Sequence, residues 1–124
     1  MTLQELYQQI GGDYDQALRV LRVEKLVDKH IRKLTKNGLI EALIGAGETM
    51  DPTQLFETSH AVKGNCANLG LANLSAAASE ISEEFRPGNT RHLTDAEVKE
   101  KLGQIDAMYW KAAEGIARYE QENP

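Results

Sequence analysis

The stretch "TDAEVKEKLGQIDAMYWKAAEGIARYEQ", residues 94–121, decides the fold class because its apolar residues recur in steps of four and three. That spacing places them on one side of an α-helix. Thr94 and Glu97 form a capping box at its start, in which each side chain satisfies the other residue's backbone N–H. The stretch therefore predicts one long helix, Thr94–Gln121, with a single core-facing seam of Val98, Leu102, Ile105, Tyr109, Ala112, Ile116 and Tyr119.

Start and stop signals divide the rest of the chain into further helices. Thr2 and Glu5 form another capping box, and Asp13 begins a looser version of it. Asp51 before Pro52 is a strong helix start. The stops are Gly11–Gly12, Asn37–Gly38, Gly70 and Pro87–Gly88–Asn89. The predicted helices are Thr2–Ile10, Asp13–Lys36 with a candidate break near Val23, Leu39–Ala46, Pro52–Leu69 and Leu71–Phe85.

These helices predict an all-α fold, since no segment shows sustained period-2 alternation. Two further apolar seams are Leu71, Leu74, Ala78, Ile81 and Phe85, and Val23, Val27, Ile31 and Leu34. Long amphipathic helices joined by short loops predict an antiparallel four-helix bundle. The short N-terminal helix is expected to pack across one end of it. Residues 1–124 are expected to form a single helical domain.

Composition excludes several function classes. The chain has 124 residues, which suffices for one domain with a proper core but not for two. The formal net charge of −5 and the lack of an evident basic stripe argue against a nucleic-acid partner. No apolar run is long enough to cross a membrane.

The chain also lacks the marks of a secreted protein. Its N-terminus, "MTLQELYQQI", has no basic region followed by an apolar core. Cys66 is the only cysteine, which excludes an internal disulfide and fits a reducing cytosol. Because the chain starts at Met1 and shows no linker-like tail, we expect a free-standing cytoplasmic protein.

The segment "SHAVKGNCANLG", residues 59–70, carries the candidate site. At 100° per residue, the apolar residues of this helix cluster within roughly 60°, whereas His60 lies roughly 150° and Gly64 roughly 170° from their centre. Those apolar residues are Leu55, Val62, Cys66 and Leu69. We therefore expect His60 to face solvent, with Lys63 on the shoulder beside it and Cys66 as a small buried hydrophobe.

Gly64 is costly in this position, because glycine in a helix interior loses about 1 kcal/mol relative to alanine. On an outer face it does not serve helix packing, so we interpret it as room for a bulky group beside His60. Lys63 would favour the neutral, nucleophilic imidazole and would neutralise an anion attached to the ring. Together the three residues suggest a site for a phosphoryl group on nitrogen.

The segment resembles the signature of histidine phosphotransfer (HPt) domains, His-x-hydrophobic-Lys-Gly followed by small residues and hydrophobic-Gly. The match comprises His60, Val62, Lys63, Gly64, Ala67, Leu69 and Gly70. The resemblance implies a phosphorelay intermediate. His60 would take a phosphoryl group from an aspartyl phosphate on a receiver domain and pass it to an aspartate of a response-regulator receiver. A hybrid sensor histidine kinase would be a further partner.

The resemblance also implies a carrier that lacks kinase activity, and a monomer. No P-loop and no Gly-x-Gly-x-x-Gly occur, so the chain is not expected to use ATP, and no cofactor or metal of its own is implied. Lys63 would stabilise charge and Gly64 would leave space for the phosphoryl group. Phe56 and Ala67 flank His60 on the helical wheel and are candidates for an apolar collar that docks the receiver. Ser82 is a candidate for a polar residue facing the histidine.

Three alternatives differ in class. Glu57 and His60 form one Glu-x-x-His, the ligand spacing of di-iron bundles, but neither His30 nor His92 has glutamate three positions earlier. A non-enzymatic four-helix interaction module would have no need of the intact His60 motif. The N-terminal phosphoacceptor module of a chemotaxis-type kinase would normally continue into a linker.

Overall fold

The computed structural model describes all 124 residues and contains seven α-helices and no strand. The all-α prediction is thereby confirmed. None of the helices combines the length and the apolarity that a bilayer crossing requires. The helices are α1 (Leu3–Ile10), α2 (Tyr14–Leu21), α3 (Glu24–Lys33), α4 (Leu39–Thr49), α5 (Pro52–Asn68), α6 (Ala72–Glu84) and α7 (Asp95–Glu122).

Four helices form a closed ring, because α4 packs on α5, α5 on α6, α6 on α7, and α7 on α4. Hydrogen bonds and packing contacts between neighbouring helices show that these helices run antiparallel. Ser75 early in α6 bonds to Lys63 late in α5. The α4–α7 pair is linked from Glu41 to Tyr109, whereas Gly47, further along α4, faces the earlier α7 residue Leu102. The four helices follow one another in sequence, as in an up-down bundle. The connections are short except for the ten-residue loop, 85–94, between α6 and α7.

The short helix α1 lies at the end of the ring, against the C-terminal half of α7. The side chains of Leu6 and Ile10 approach Gly115, which has no Cβ to hold them away. Tyr7 is 1% exposed, and its hydroxyl donates to the carbonyl of Leu69 at 2.7 Å. Burial raises the pKa of this tyrosine well above its usual value. The N-terminal helix thus holds the turn between α5 and α6.

The N-terminal capping interactions that the sequence predicts are formed in the structure. Both capping boxes form in both directions, at Thr2 with Glu5 and at Thr94 with Glu97. Asp51 Oδ1 accepts from the first free backbone N–H groups of α5, and Pro52 occupies the first helical position. Each device satisfies donors that a helix end otherwise leaves unpaired.

The predicted segment Asp13–Lys36 is two helices, and the break lies at Arg22 and Val23. Arg22 adopts a left-handed φ of 76° at the end of α2, and Val23 starts α3 without a side-chain cap. Val23 was expected on a buried seam but is 51% exposed, because the break turns it outward. The fourth place in the ring belongs to α4, which runs three residues beyond its predicted end at Ala46.

The turn between α5 and α6 depends on Gly70. This residue has φ 71°, and a Cβ built there would lie 2.2 Å from the carbonyl oxygen of Asp13. The Gly70 carbonyl in turn accepts the N–H of Asp13 at 2.8 Å. Only glycine combines this backbone conformation with such close approach of another chain segment. The turn between α5 and α6 is therefore fixed directly to the start of α2 by backbone contacts.

Gly70→Ala is expected to lower the free energy of unfolding by about 3–4 kcal/mol, since it adds a backbone clash to an unfavourable φ. Gly11→Ala is the matched control, because Gly11 has φ 72° and open space around the added Cβ. It should lose only about 1 kcal/mol. Urea unfolding of both variants checks this, and equal losses would contradict the role assigned to close approach.

Candidate functional site

The candidate site lies on the outer face of α5, and the core determines which face that is. Leu55, Ser59, Val62 and Cys66 are all buried along one side of the helix. His60, Gly64 and Ala67 are exposed on the other side, and Lys63 is half-buried between the two faces. The histidine is therefore presented from the middle of a helix that is capped at both ends.

The imidazole of His60 rests on Phe56. The two ring centroids are 5.7 Å apart with an interplanar angle of 21°, a stacked arrangement one helical turn deep. Phe56 itself is half-buried. The nearby hydroxyl groups bond to backbone carbonyls of the same helix. Thr58 donates to the Gln54 carbonyl at 2.7 Å, and Ser59 donates to the Phe56 carbonyl at 3.1 Å. The stack places Phe56 against one face of the imidazole, and the histidine side chain remains exposed.

Lys63 and Ala67 border a shallow depression of about 380 Å³ on one side of the histidine helix. Its other walls come from the start of α2 and from α6. The Lys63 ammonium takes part in none of the six salt bridges of the chain. Its charge is thus available to an anion at the surface. The lining residues are Asp13, Gln16, Lys63, Ala67, Gly70, Ala72, Ser75, Ala76 and Ser79.

A second depression, of about 470 Å³, lies at the other end of the site. Phe56 borders it together with Arg86 and Arg91 of the loop between α6 and α7. This loop is held by the buried carboxylate of Glu84, which accepts the backbone N–H groups of His92 and Leu93. The two docking candidates, Phe56 and Ala67, therefore lie on either side of His60 along α5, each at a different depression.

Gly64 has open space where a side chain would begin, because no atom lies within 4 Å of a Cβ built there. Gly47 offers the contrast, since a Cβ at that position would meet Leu102 at 2.3 Å. Packing requires the absence of a side chain at Gly47 and makes no such demand at Gly64. The bare backbone beside His60 has no explanation within the bundle itself.

Serines of α6 that the sequence did not single out line the site. Ser75 donates to the Lys63 carbonyl at 3.0 Å and so ties α6 to the backbone next to Gly64. Ser79 lies in the depression beside Lys63. Ser82, the sequence-based candidate, is only 1% exposed and points into the interior. The two helices α5 and α6 run back along each other from the turn at Gly70. Counting residues outward from Gly70 in both directions could therefore have predicted which α6 residues lie opposite His60.

The remaining chemistry-bearing residues lie elsewhere. Cys66 is fully buried, and burial raises the pKa of its thiol to about 12. His30 is half-buried on α3, and His92 is exposed in the loop before α7. The chain brings no three His, Cys, Asp or Glu side chains together as a metal site. Glu57 and His60 are both exposed, whereas di-iron ligands project into a bundle core.

Comparison with known proteins identifies the class to which this fold and site belong. The family model of the Hpt domain matches residues 2–109. Because this match covers most of the 124 residues, the chain belongs to the Hpt domain family. The resemblance found in the sequence is thereby confirmed. No curated protein and no solved structure matches the chain.

Family membership defines the general activity. Hpt domains carry phosphoryl groups on histidine in phosphorelays, and they interact with the receiver domains of response regulators and with kinases. They are phosphocarriers and not enzymes in the ordinary sense.

Proposed function

We propose that His60 is the phosphoryl acceptor of this chain. The observation that carries the proposal is an exposed imidazole in the middle of a capped, rigid helix, beside bare backbone at Gly64. The other two histidines have neither neighbour: His30 is half-buried on α3, and His92 lies in a loop. Within an Hpt domain, His60 is the histidine best placed to meet a docked protein.

The transfer is a substitution at phosphorus. A lone pair on the Nε2 atom of His60 attacks the phosphorus of an aspartyl phosphate on a receiver domain. The N–P bond forms while the P–O bond breaks, and the aspartate leaves as a carboxylate. The reverse substitution hands the group to the aspartate of a second receiver. Covalent capture thus divides one transfer into two steps.

Lys63 and Gly64 supply what this side of the reaction needs. The transition state is loose, with its charge on the phosphoryl oxygens, so positioning and electrostatic stabilisation dominate. The ammonium of Lys63, which has no salt-bridge partner, lies one helical turn from His60 and would stabilise that negative charge. The missing side chain at Gly64 leaves the phosphoryl group and the receiver loops room against the helix.

The partners follow from this chemistry. Response-regulator receivers would dock over His60, with Phe56 and Ala67 as apolar contacts at either end of the site. A hybrid sensor histidine kinase would load the relay. We propose that residues 1–124 act as one cytoplasmic carrier unit, since the turn at Gly70 joins the N-terminal helices to the helix that bears the histidine.

His60→Gln is expected to abolish phosphoryl acceptance and leave helicity and unfolding unchanged, because an exposed side chain contributes little to stability. The assay offers a panel of phosphorylated receivers and follows acid-labile, base-stable label on the chain. His92→Gln, also exposed, is the control and should label fully. Label retained by His60→Gln would refute the assignment.

Lys63→Ala is expected to slow labelling about tenfold, which corresponds to about 1.4 kcal/mol of lost transition-state stabilisation. Lys99→Ala removes an exposed lysine from α7 and should transfer at the wild-type rate. Single-turnover kinetics at saturating receiver separate the chemical step from docking. An effect confined to receiver affinity would contradict the electrostatic role.

Gly64→Gln is expected to separate stability from activity. The free energy of unfolding should rise by about 0.5–1 kcal/mol, since glutamine favours a helix and meets open space. Transfer should slow about tenfold or more because the new side chain occupies the space beside His60. Gly103→Gln on α7, equally open, should give the same stability without the loss. A Gly64→Gln variant that transfers phosphoryl groups at the wild-type rate would contradict the proposal that the glycine leaves space beside His60.

A further inference from the structure

The largest groove of the molecule lies between α4 and α7, away from the histidine. Its volume is about 640 Å³, and no residue of α5 or α6 contributes to it. Since α5 and α6 form the opposite side of the four-helix ring, the groove and His60 are on different faces. Small residues, Gly45, Ala113 and Ala117, form its floor, and Ile40 and Ile44 line one wall.

Trp110, the only tryptophan of the chain, stands at this groove with 60% of its surface exposed. Its ring lies 5.8 Å from that of Tyr109 at an angle of 58°. The Tyr109 hydroxyl donates to Glu41 of α4 at 3.0 Å, and its pKa is raised to about 12, mainly by desolvation. The indole thus lies beside an anchored tyrosine ring, and most of its apolar surface stays in water. Tryptophan in such a position is typical of binding hot spots.

The rim of the groove is acidic. It carries five carboxylates: Glu41, Glu48, Asp106, Glu114 and Glu120. Of these only Glu120 has a cationic partner, Lys36. The others take part in none of the chain's salt bridges. An apolar floor beneath uncompensated negative charge selects an occupant that is apolar on one side and basic at its edges.

The shape of the groove indicates a helix. Its lining runs from Ile40 to Glu48 on α4 and from Asp106 to Glu120 on α7. These spans correspond to about 12 Å and about 21 Å, or two to four helical turns. Both walls are helices whose backbone groups are paired internally, so there is no sheet edge to which a strand could add. The glycine and alanine floor allows a helical backbone to approach closely.

We propose that the groove between α4 and α7 docks a basic amphipathic helix of a partner protein, whose apolar side covers Trp110 and whose cations meet the carboxylate rim. The docked helix leaves the His60 face uncovered. This chain could therefore be held by one protein through α4 and α7 while it exchanges phosphoryl groups with another through α5.

The fluorescence of Trp110 tests the proposal directly, because no other tryptophan contributes. The full chain is titrated with a synthetic helical peptide that carries leucines at i, i+3, i+4 and i+7 and lysines elsewhere. We expect a saturable blue shift that weakens with added salt, as screening predicts. The matched peptide with glutamates in place of lysines should give no shift. Equal binding of both peptides, or no shift with either, overturns the proposal.

Two matched pairs of variants locate the binding. Gly45→Gln fills the floor and should weaken the apparent Kd at least tenfold, whereas Gly103→Gln, outside the groove, should not. Glu48→Lys should likewise weaken binding, whereas Glu100→Lys makes the same change of net charge elsewhere on α7 and should have little effect. Equal losses within either pair would overturn the assignment to the groove.

Two further measurements separate the competing explanations. His60 labelling of the Gly45→Gln variant should proceed at the wild-type rate, and a loss of labelling would show that the two faces are not independent. A blue shift that grows with protein concentration in the absence of peptide would identify a second copy as the occupant and refute the assignment to a partner helix.

Discussion

The structure depends on one backbone contact, which joins the turn at Gly70 to Asp13. There the chain leaves α5 in a left-handed conformation, lies against the backbone of Asp13 and receives its N–H. Tyr7 holds the adjacent carbonyl from α1. These contacts fix the end of the histidine helix relative to the N-terminal helices, and they set the register in which α6 returns along α5. The positions of Lys63 and of the serines that face it follow from that register.

The fold depends on only one of the two faces of α5. Its inner face is buried in the ring, and helices in proteins owe most of their stability to such packing. The outer face can therefore carry residues that do not stabilise the fold, a bare glycine and an exposed histidine, with an unpaired lysine at its edge. A carrier needs this arrangement, since its acceptor must meet successive partners without any change in the fold that presents it.

Local signals in the sequence were enough to predict most helices and the orientation of the motif. Caps at Thr2, Asp51 and Thr94 act over three residues, and the seam of α7 repeats without interruption. The break at Val23 and the place of α4 in the ring depend on contacts between distant segments. The close fit of Gly47 to Leu102 is one such contact, and nothing near Gly47 in the sequence indicates it.

The buried thiol of Cys66 has a practical consequence. With a pKa raised to about 12 and no exposed surface, it is almost entirely protonated at neutral pH and shielded from electrophiles. A cysteine introduced on the outer face of the molecule would then be the only thiol that maleimide dyes or spin labels modify. Distances between that label and a labelled receiver could be measured on an otherwise unaltered chain, which would reveal whether a receiver approaches the face that carries His60.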